Sequence, residues 1–439
     1  MSETVAGQRT DVAALNERKE LSVESLSAGM IGNVLEWYDF GLYGYLAPVI
    51  GSMFFPSVNP IASLIGAYGG FAIGFAVRPI GGAVLGHLGD RIGRQTVLIT
   101  SVVLMGAATT AVAFLPTYHQ IGIWAPILLL LTRLFQGFSV GGEFTGSVSY
   151  LVETAPRKRR GVAGSVANVG STGGYLLAAG LAALTVTFMG NHPEYPWVWR
   201  LPFLGGGIIA VLAYWVRSRL TETGYEPEPL EDGEKVELPL KQAFTRAPRT
   251  MILAMLFTWG YGVADYLTLV FLPTFASKFG TIGDGDALTV NTASQALAIV
   301  IVPVTGWLTD RLIRRRSMLM LAFALIFITS LSFFGLSASG SMSDFVIAQF
   351  GFAIFLGMIM GTAPAMLAEM FRSEFRLSGY SLAFNVGLGF GGGTAPLIAT
   401  ALIGGTGNKM AGAMYLMVAC AMSIVAMYLI TDRSREPLR

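Results

Sequence analysis

Apolar stretches of the length of a membrane-crossing helix recur along nearly the whole chain, separated by short polar loops. A helix needs about 20 apolar residues to cross the hydrocarbon core, and unpaired backbone groups exclude almost any other lipid-exposed form. We therefore predict an all-α membrane protein with twelve transmembrane helices. The predicted spans cover residues 25–50, 62–86, 95–115, 122–150, 161–188, 199–217, 250–275, 288–308, 317–337, 344–368, 377–403 and 410–431.

One long polar stretch separates these spans into two six-helix halves. Residues 218–249, which follow the sixth span, are rich in proline and acidic residues and are typical of a linker. The predicted domains are a cytoplasmic tail at 1–24, a six-helix bundle at 25–217, a cytoplasmic linker at 218–249, a second six-helix bundle at 250–431 and a cytoplasmic tail at 432–439.

Composition and charge support a membrane protein and exclude a nucleic-acid partner. The chain has 53% hydrophobic and only 13% charged residues, whereas soluble domains have about 25% charged residues. The net charge of +2 is small and the basic residues form no continuous patch that could follow phosphates. Most lysines and arginines lie in the tails and alternate loops, opposite Lys278 and Lys409, so both termini are expected to be cytoplasmic.

A short basic motif occurs twice at matching positions of the two halves. GHLGDRIGRQ begins at Gly86 and GWLTDRLIRR at Gly306, 220 residues later, and each follows the second span of its half. Such a duplication is typical of alternating-access transporters, in which two halves rock about a central site.

The motif G-x-x-x-D-R-x-x-R resembles the cytoplasmic loop signature of the major facilitator superfamily. GNVLEWYDFGLYGYLAP, FAVRPIGG and RLFQGFSVGGEFTG are further similar to its metabolite:proton symporter family, which includes carriers of osmolytes such as proline and betaine and of α-ketoglutarate, citrate and shikimate. The resemblance implies a monomeric, multi-pass protein of the bacterial inner membrane that binds a small-molecule substrate and protons. Because charged residues at a helix junction can cap a neighbouring helix, the motif residues are expected to act in gating: Asp90, Arg91, Arg94, Asp310, Arg311 and Arg314.

Charged residues inside the spans are candidates for function, because each costs about 2.5 to 3.5 kcal/mol on insertion scales. In the first span, Asn33, Glu36, Asp39 and Tyr43 are three or four residues apart and share one helical face. We expect this face to point into the bundle, with Glu36 near the bilayer centre. Proton coupling is assigned to four carboxyl groups, those of Glu36, Asp39, Glu143 and Asp265. For Asp265 a packing role beside neighbouring tyrosines is an equal alternative.

Arg133 is expected near the middle of the fourth span, with Gln136 on the same face. A guanidinium there suits a substrate carboxylate, and it can pair with Glu36 or Asp39 when the site is empty. The alternative is a permanent salt bridge between the first and fourth spans. The predicted substrate-binding set is Arg133, Glu36, Tyr38, Gln136 and Asn385.

Arg78 follows Gly66, Gly70 and Gly74 at intervals of four residues. Glycine rows let helices approach closely, so Arg78 is expected to face a packed helix interface and to pair or gate with Glu143.

Taken with the resemblance, these features predict a proton-coupled symporter of a small organic acid or zwitterionic osmolyte that works by alternating access. No cofactor is expected, since the proton gradient supplies the energy, and the absence of a P-loop sequence argues against ATP drive and enzymatic activity. The alternatives are a uniporter or antiporter of a di- or tricarboxylate, and a metabolite sensor that does not transport.

Overall fold

The computed structural model describes residues 23–92, 94–140, 142–219 and 245–438. Within these ranges the chain is helical and contains no strand, so the all-α class is confirmed. Helices occupy all twelve predicted positions, and ten of them are long and apolar enough to cross a membrane. The first and third positions are not among these ten, although the third contains a shorter apolar helix at Ile99–Phe114.

The first half contains six spans, three of them in one piece. The spans are Val23–Tyr45 continued by Ala47–Phe54, Pro60–Ala76 continued by Arg78–Ile92, Arg94–Phe114, Trp124–Ser139 continued by Glu143–Thr154, Arg160–Asn191, and Leu201–Arg219. Most of the predicted linker lies outside the described residues.

The second half also contains six spans. They are Pro248–Asp265 continued by Tyr266–Phe271 and Leu272–Lys278, then Asp284–Arg311, Arg315–Ala338, Met342–Met370, Arg376–Thr406 and Ala411–Leu429. Short 3₁₀ turns, Arg157–Arg159 and Ser373–Phe375, precede the fifth and eleventh spans.

Three spans are interrupted beside a charged residue. The second span breaks at Val77 just before Arg78, where the following proline lacks a backbone N–H. The fourth span resumes at Glu143 after a break, and the seventh changes to a π-helix immediately after Asp265. Interrupted helices and π segments are common at transport and ligand sites.

The two halves meet mainly where the fifth span packs on the eighth and the second packs on the eleventh. We call the side on which the first span begins and residues 430–438 lie the tail face. There the backbones of Gly161 and Gly306 are in close contact, and at the other end of the same two spans Gly285 packs against Thr187. The halves therefore touch at both faces of the bundle.

The glycine row of the second span packs against the fourth span at close range. A Cβ added to Gly137 would overlap the carbonyl oxygen of Gly74, and one added to Gly81 would overlap that of Phe138. No side chain larger than hydrogen fits at these positions without separating the two helices.

We expect Gly137→Ala to lower the free energy of unfolding by about 1–3 kcal/mol, because the methyl group forces the second and fourth spans apart. Gly146→Ala in the same span is the matched control, since its methyl group meets no other atom within 4 Å. Thermal denaturation of the purified protein in detergent measures both variants. Equal stability of the two would show that this close contact is not needed.

Candidate functional site

The polar face of the first span points into the bundle, as its spacing predicted. Asn33, Glu36, Asp39 and Tyr43 are all almost fully buried. The amide of Asn33 donates to Ser147 Oγ of the fourth span at 3.2 Å, and the Tyr43 hydroxyl donates to a backbone carbonyl of the second span at 3.0 Å. This face joins the first span to its neighbours.

Asp39 is the centre of a buried hydrogen-bond network that joins the first, third and fourth spans. Its Oδ2 accepts from Arg133 Nη1 at 2.9 Å, and its Oδ1 accepts from Thr109 Oγ1 at 2.7 Å and Gln136 Nε2 at 2.6 Å. Arg133 Nη1 also donates to Gln136 Oε1 at 2.7 Å. All the members of this network belong to the first half.

Arg133 has neither water contact nor a full set of partners. It is 0% exposed, and its guanidinium lies 4.3 Å from the centroid of the Tyr43 ring. Among the described residues, its Nε and Nη2 atoms have no hydrogen-bond partner. Each unpaired buried donor costs about 1–3 kcal/mol. The carboxylate that pairs with this guanidinium among the described residues is that of Asp39, which therefore stabilises its charge.

Arg78 forms an ion pair with Glu36, and each side chain is only 2% exposed. The guanidinium lies between aromatic rings, 4.9 Å from the centroid of Phe40 and 5.0 Å from that of Phe75. Glu143, the expected partner, acts on Arg78 electrostatically, but the direct ion pair is to Glu36. Counting residues along the span predicts the depth of Arg78 but not the direction of its side chain around the helix, which decides the partner.

Asp265 lies beside Tyr175 and precedes Tyr266, and these two tyrosines belong to a group of three aromatic rings from both halves. The rings of Trp37, Tyr175 and Tyr266 have centroids 5.4 to 6.5 Å apart; we call them the aromatic triangle. The Tyr175 hydroxyl donates to Asp265 Oδ2 at 3.4 Å. Oδ1 of this fully buried carboxyl has no hydrogen-bond partner in the described part of the chain. Sequence reasoning missed Tyr175, since nothing in its glycine-rich span marks it.

The remaining substrate-binding candidates do not all join this group. Tyr38 points towards the sixth span, where its hydroxyl donates to the Pro202 carbonyl at 2.5 Å. The Asn385 amide donates to the Ser381 carbonyl of its own helix at 2.9 Å. Gln136, in the Asp39 network, and Glu36, beside Arg78, lie close to buried charges.

Asp310 caps the fifth span from across the interface between the halves. Its carboxylate accepts from the backbone N–H groups of Gly161 at 2.7 Å and Val162 at 3.0 Å, and it pairs with Arg315 at 2.8 Å. Arg311 lies over Trp307 and Arg314 is exposed. The side chains of the first motif copy, Asp90, Arg91 and Arg94, lie outside the described residues.

Two further ion pairs link the halves at the tail face. Glu153 at the end of the fourth span pairs with Arg376 at the start of the eleventh at 2.6 Å. Arg160 at the start of the fifth span lies 3.8 Å from Glu369 at the end of the tenth, and Glu369 also pairs with Arg315 at 2.8 Å. We call Glu153–Arg376 and Arg160–Glu369 the crossed pairs.

The residues of the crossed pairs are repeated at matching positions of the two halves of the sequence. Glu153 and Glu369 are 216 residues apart, as are Arg160 and Arg376, so each half carries a glutamate seven residues before an arginine. The repeat predicts the residues but not the exchange of partners between the halves.

No metal site is evident in the part of the chain that the structure describes, where no group of three His, Cys, Asp or Glu residues is placed to hold an ion.

Comparison with known proteins shows the family. The family model described as Major Facilitator Superfamily matches residues 29–327 and 261–439. The Proline/betaine transporter of Escherichia coli (strain K12) is 32% identical over 427 residues, covering 95% of this chain and 85% of the relative. The glycine betaine/proline/ectoine/pipecolic acid transporter OusA of Dickeya dadantii is 30% identical over 425 residues, covering 95% of this chain and 84% of the relative.

Solved structures show the same fold. A crystal structure of a D-xylose-proton symporter matches with a TM-score of 0.70 at 16% identity, covering 95% of this chain and 99% of that one. The partially occluded inward-open conformation of the xylose transporter XylE from E. coli matches with a TM-score of 0.71 at 16% identity, over 94% of this chain and 99% of that one. These relatives and neighbours are transporters and not enzymes, and the chain belongs to the Major Facilitator Superfamily as a membrane transporter.

Proposed function

We propose that the chain is a proton-coupled symporter of a zwitterionic osmolyte that carries a carboxylate and a secondary or quaternary ammonium group. The observation that carries this proposal is that two buried groups contact the aromatic triangle, Arg78 at the Trp37 ring and Asp265 at the Tyr175 hydroxyl. The printed names of the relatives, which include proline, betaine and ectoine, supply the substrate class.

The substrate carboxylate is proposed to bind Arg78, whose Nε has no hydrogen-bond partner among the described residues, while Glu36 keeps its contact with the guanidinium. Arg78 faces Trp37 and Phe75, and Phe75 is in ring contact with Tyr266 of the second half. An alternating-access substrate binds between the halves, and this guanidinium has that position. The sequence had assigned the substrate to Arg133, which remains an alternative, but the described contacts of Arg133 lie within the first half.

The substrate ammonium group is proposed to bind the aromatic triangle. Electron-rich ring faces attract quaternary ammonium groups, and desolvated contacts of this kind contribute about 2 kcal/mol or more. The Asp265 carboxyl lies beside the rings, and because it is buried without a cationic partner among the described residues, it is proposed to carry its negative charge when the substrate ammonium group is bound. A zwitterion therefore bridges Arg78 in the first half and Asp265 in the second, which favours closure of the halves around it.

Proton coupling is proposed to occur at Asp39. Its carboxylate balances the charge of Arg133 at 2.9 Å in a site without water contact. Protonation of Asp39 neutralises the partner of Arg133 and frees its guanidinium. The helices of this network are therefore proposed to rearrange only when Asp39 binds or releases a proton. Arg133 then has the role of a proton-linked partner of Asp39, which differs from the permanent salt bridge that was the alternative drawn from the sequence.

In proteoliposomes, we expect an inward proton gradient to drive accumulation of proline or betaine but not of citrate, α-ketoglutarate or shikimate. In Asp39→Asn, which cannot change its charge, the gradient should no longer drive accumulation, while exchange of labelled for unlabelled substrate continues. The control is Asp286→Asn, an exposed carboxylate at the opposite face, which should behave as the wild type.

Three results would contradict this scheme. Accumulation of a di- or tricarboxylate alone would replace the osmolyte by an organic acid. Substrate binding without uptake under any gradient would favour the sensor. Gradient-driven accumulation by Asp39→Asn would move the proton site elsewhere.

We expect Arg78→Gln combined with Glu36→Gln to raise the KM for the substrate about 10- to 100-fold, because a hydrogen bond to a charged group contributes about 1.5–3 kcal/mol. Changing both residues avoids a stranded buried carboxylate. The control is Tyr38→Phe, whose hydroxyl bonds outside the group and whose loss should leave KM unchanged. Initial uptake rates over a range of substrate concentrations give the KM of both variants. A larger increase in KM for Tyr38→Phe than for the double variant would refute the assignment to Arg78.

The crossed pairs are expected to hold the tail face closed. Glu153→Arg places two arginines opposite each other, and a repulsion of about 1 kcal/mol would shift the population about fivefold towards tail-face opening. The charge swap Glu153→Arg with Arg376→Glu should restore the wild-type distribution.

Single-molecule energy transfer between dyes on two exposed positions that flank the crossed pairs, Arg157→Cys and Arg372→Cys, measures this opening. The chain's only cysteine is buried and is first removed as Cys420→Ala. Energy transfer that is the same in Glu153→Arg and in the charge swap would show that the pair does not hold the halves together.

A further inference from the structure

An open cavity of about 640 Å³ lies at the tail face between the ninth and twelfth spans. It is far in the fold from the buried charges of the first and seventh spans, since its walls come from the start of the ninth span and the end of the twelfth. Its lining residues are Arg314, Arg316, Ser317, Met320, Tyr428, Leu429, Ile430, Thr431 and Asp432.

Two guanidinium groups make one wall of this cavity positive. Arg316 is held in place, because its Cζ lies 5.3 Å from the centroid of the Tyr428 ring and its Nη1 donates to the Ile430 carbonyl at 3.4 Å. Arg314 is exposed, and no ion pair or hydrogen bond of its side chain is found among the described residues. Its fork of N–H donors is available to an oxyanion.

An adjoining wall is apolar and lies where helices leave the membrane. Tyr428 is 65% exposed and Leu429 44% exposed at the end of the twelfth span. Tyrosines at span ends are typical of the membrane–water interface, where the ring reaches apolar chains and the hydroxyl reaches the headgroups. A molecule that fits both walls has an anionic head and an apolar body.

One carboxylate also lines the cavity, and its oxygens are already engaged. Asp432 Oδ2 accepts from the Arg316 backbone N–H at 3.1 Å, and Oδ1 accepts from the Ser434 backbone N–H at 2.8 Å. Burial acts to raise the pKa of Asp432, but these hydrogen bonds and nearby Arg315 hold it below its ordinary value. The two lining arginines therefore leave an excess of positive charge.

We propose that this cavity binds the phosphodiester headgroup of an anionic phospholipid, with Arg314 and Arg316 on the phosphate and the acyl chains along Tyr428 and Leu429. Basic pockets between spans commonly bind anionic headgroups. A lipid source is favoured over a soluble phosphate because the apolar wall faces the bilayer. The site is independent of which substrate the protein carries.

Native mass spectrometry of the full chain in neutral detergent tests the site by titration with phosphatidylglycerol, phosphatidylcholine and inorganic phosphate. We expect phosphatidylglycerol to bind more tightly than phosphatidylcholine, and inorganic phosphate not to displace it. Arg314→Gln should weaken phosphatidylglycerol binding about fivefold, from about 1 kcal/mol per interfacial charge. Thr431→Glu, which adds a negative charge to the cavity without removing an arginine, should weaken it by a similar factor.

The matched control is Arg249→Gln. Arg249 is an exposed arginine in the first turn of the seventh span on the same face, but it does not line the cavity. It should leave phosphatidylglycerol binding unchanged. Equal weakening by Arg249→Gln would show an effect of general surface charge. Equal binding of phosphatidylcholine would show that the arginines do not select the headgroup. Displacement by inorganic phosphate would show that the ligand is a soluble anion. Each of these results would overturn the proposal.

Discussion

In the part of the chain that the structure describes, five side chains with a carboxyl or guanidinium group are buried within the membrane-spanning helices away from the ends of the spans: Glu36, Asp39, Arg78, Arg133 and Asp265. A buried charge that loses its partner costs about 3–5 kcal/mol, so neither of the two ion pairs among them can open without a compensating change of charge. This constraint explains why the two arginines are each paired with a carboxylate of the first span. It also gives a physical basis for coupling. A proton that binds the carboxylate, or a substrate carboxylate that binds the arginine, changes the charge balance of an ion pair.

The helices are shaped around these charges. The breaks before Arg78 and Glu143 and the π segment after Asp265 place charged groups where the regular backbone pattern is interrupted. Aromatic rings fill the space between them and cross the boundary of the halves, as the stacked rings of Phe144 and Phe384 at 4.7 Å illustrate. The first half supplies the paired charges, whereas the second supplies a lone carboxyl beside those rings.

Much of this architecture could be predicted from the sequence, because apolar length and periodicity report directly on spans and faces. The buried face of the first span followed from spacing alone, and Asp39 was one of two partners expected for Arg133. The partner of Arg78 did not follow, since counting residues along a span gives depth but not the direction of a side chain around the helix. Tyr175 and the capping of the fifth span by Asp310 depend on contacts between distant spans, which no local pattern encodes.

The crossed pairs have a consequence for how a duplicated chain gains asymmetry. In a symmetric dimer of one half, a single glutamate and a single arginine would make two identical contacts across the two-fold axis, as an isologous interface requires. Joining the halves in one chain allows each contact to change separately. They have diverged here: the side chain of Glu153 is 44% exposed, whereas that of Glu369 is 3% exposed and bound by a second arginine. The solvent-exposed contact is also the shorter, at 2.6 Å, whereas Glu369 lies 3.8 Å from Arg160 and is shared with Arg315 of its own half. The two contacts can therefore differ in how they open, which two identical subunits could not achieve.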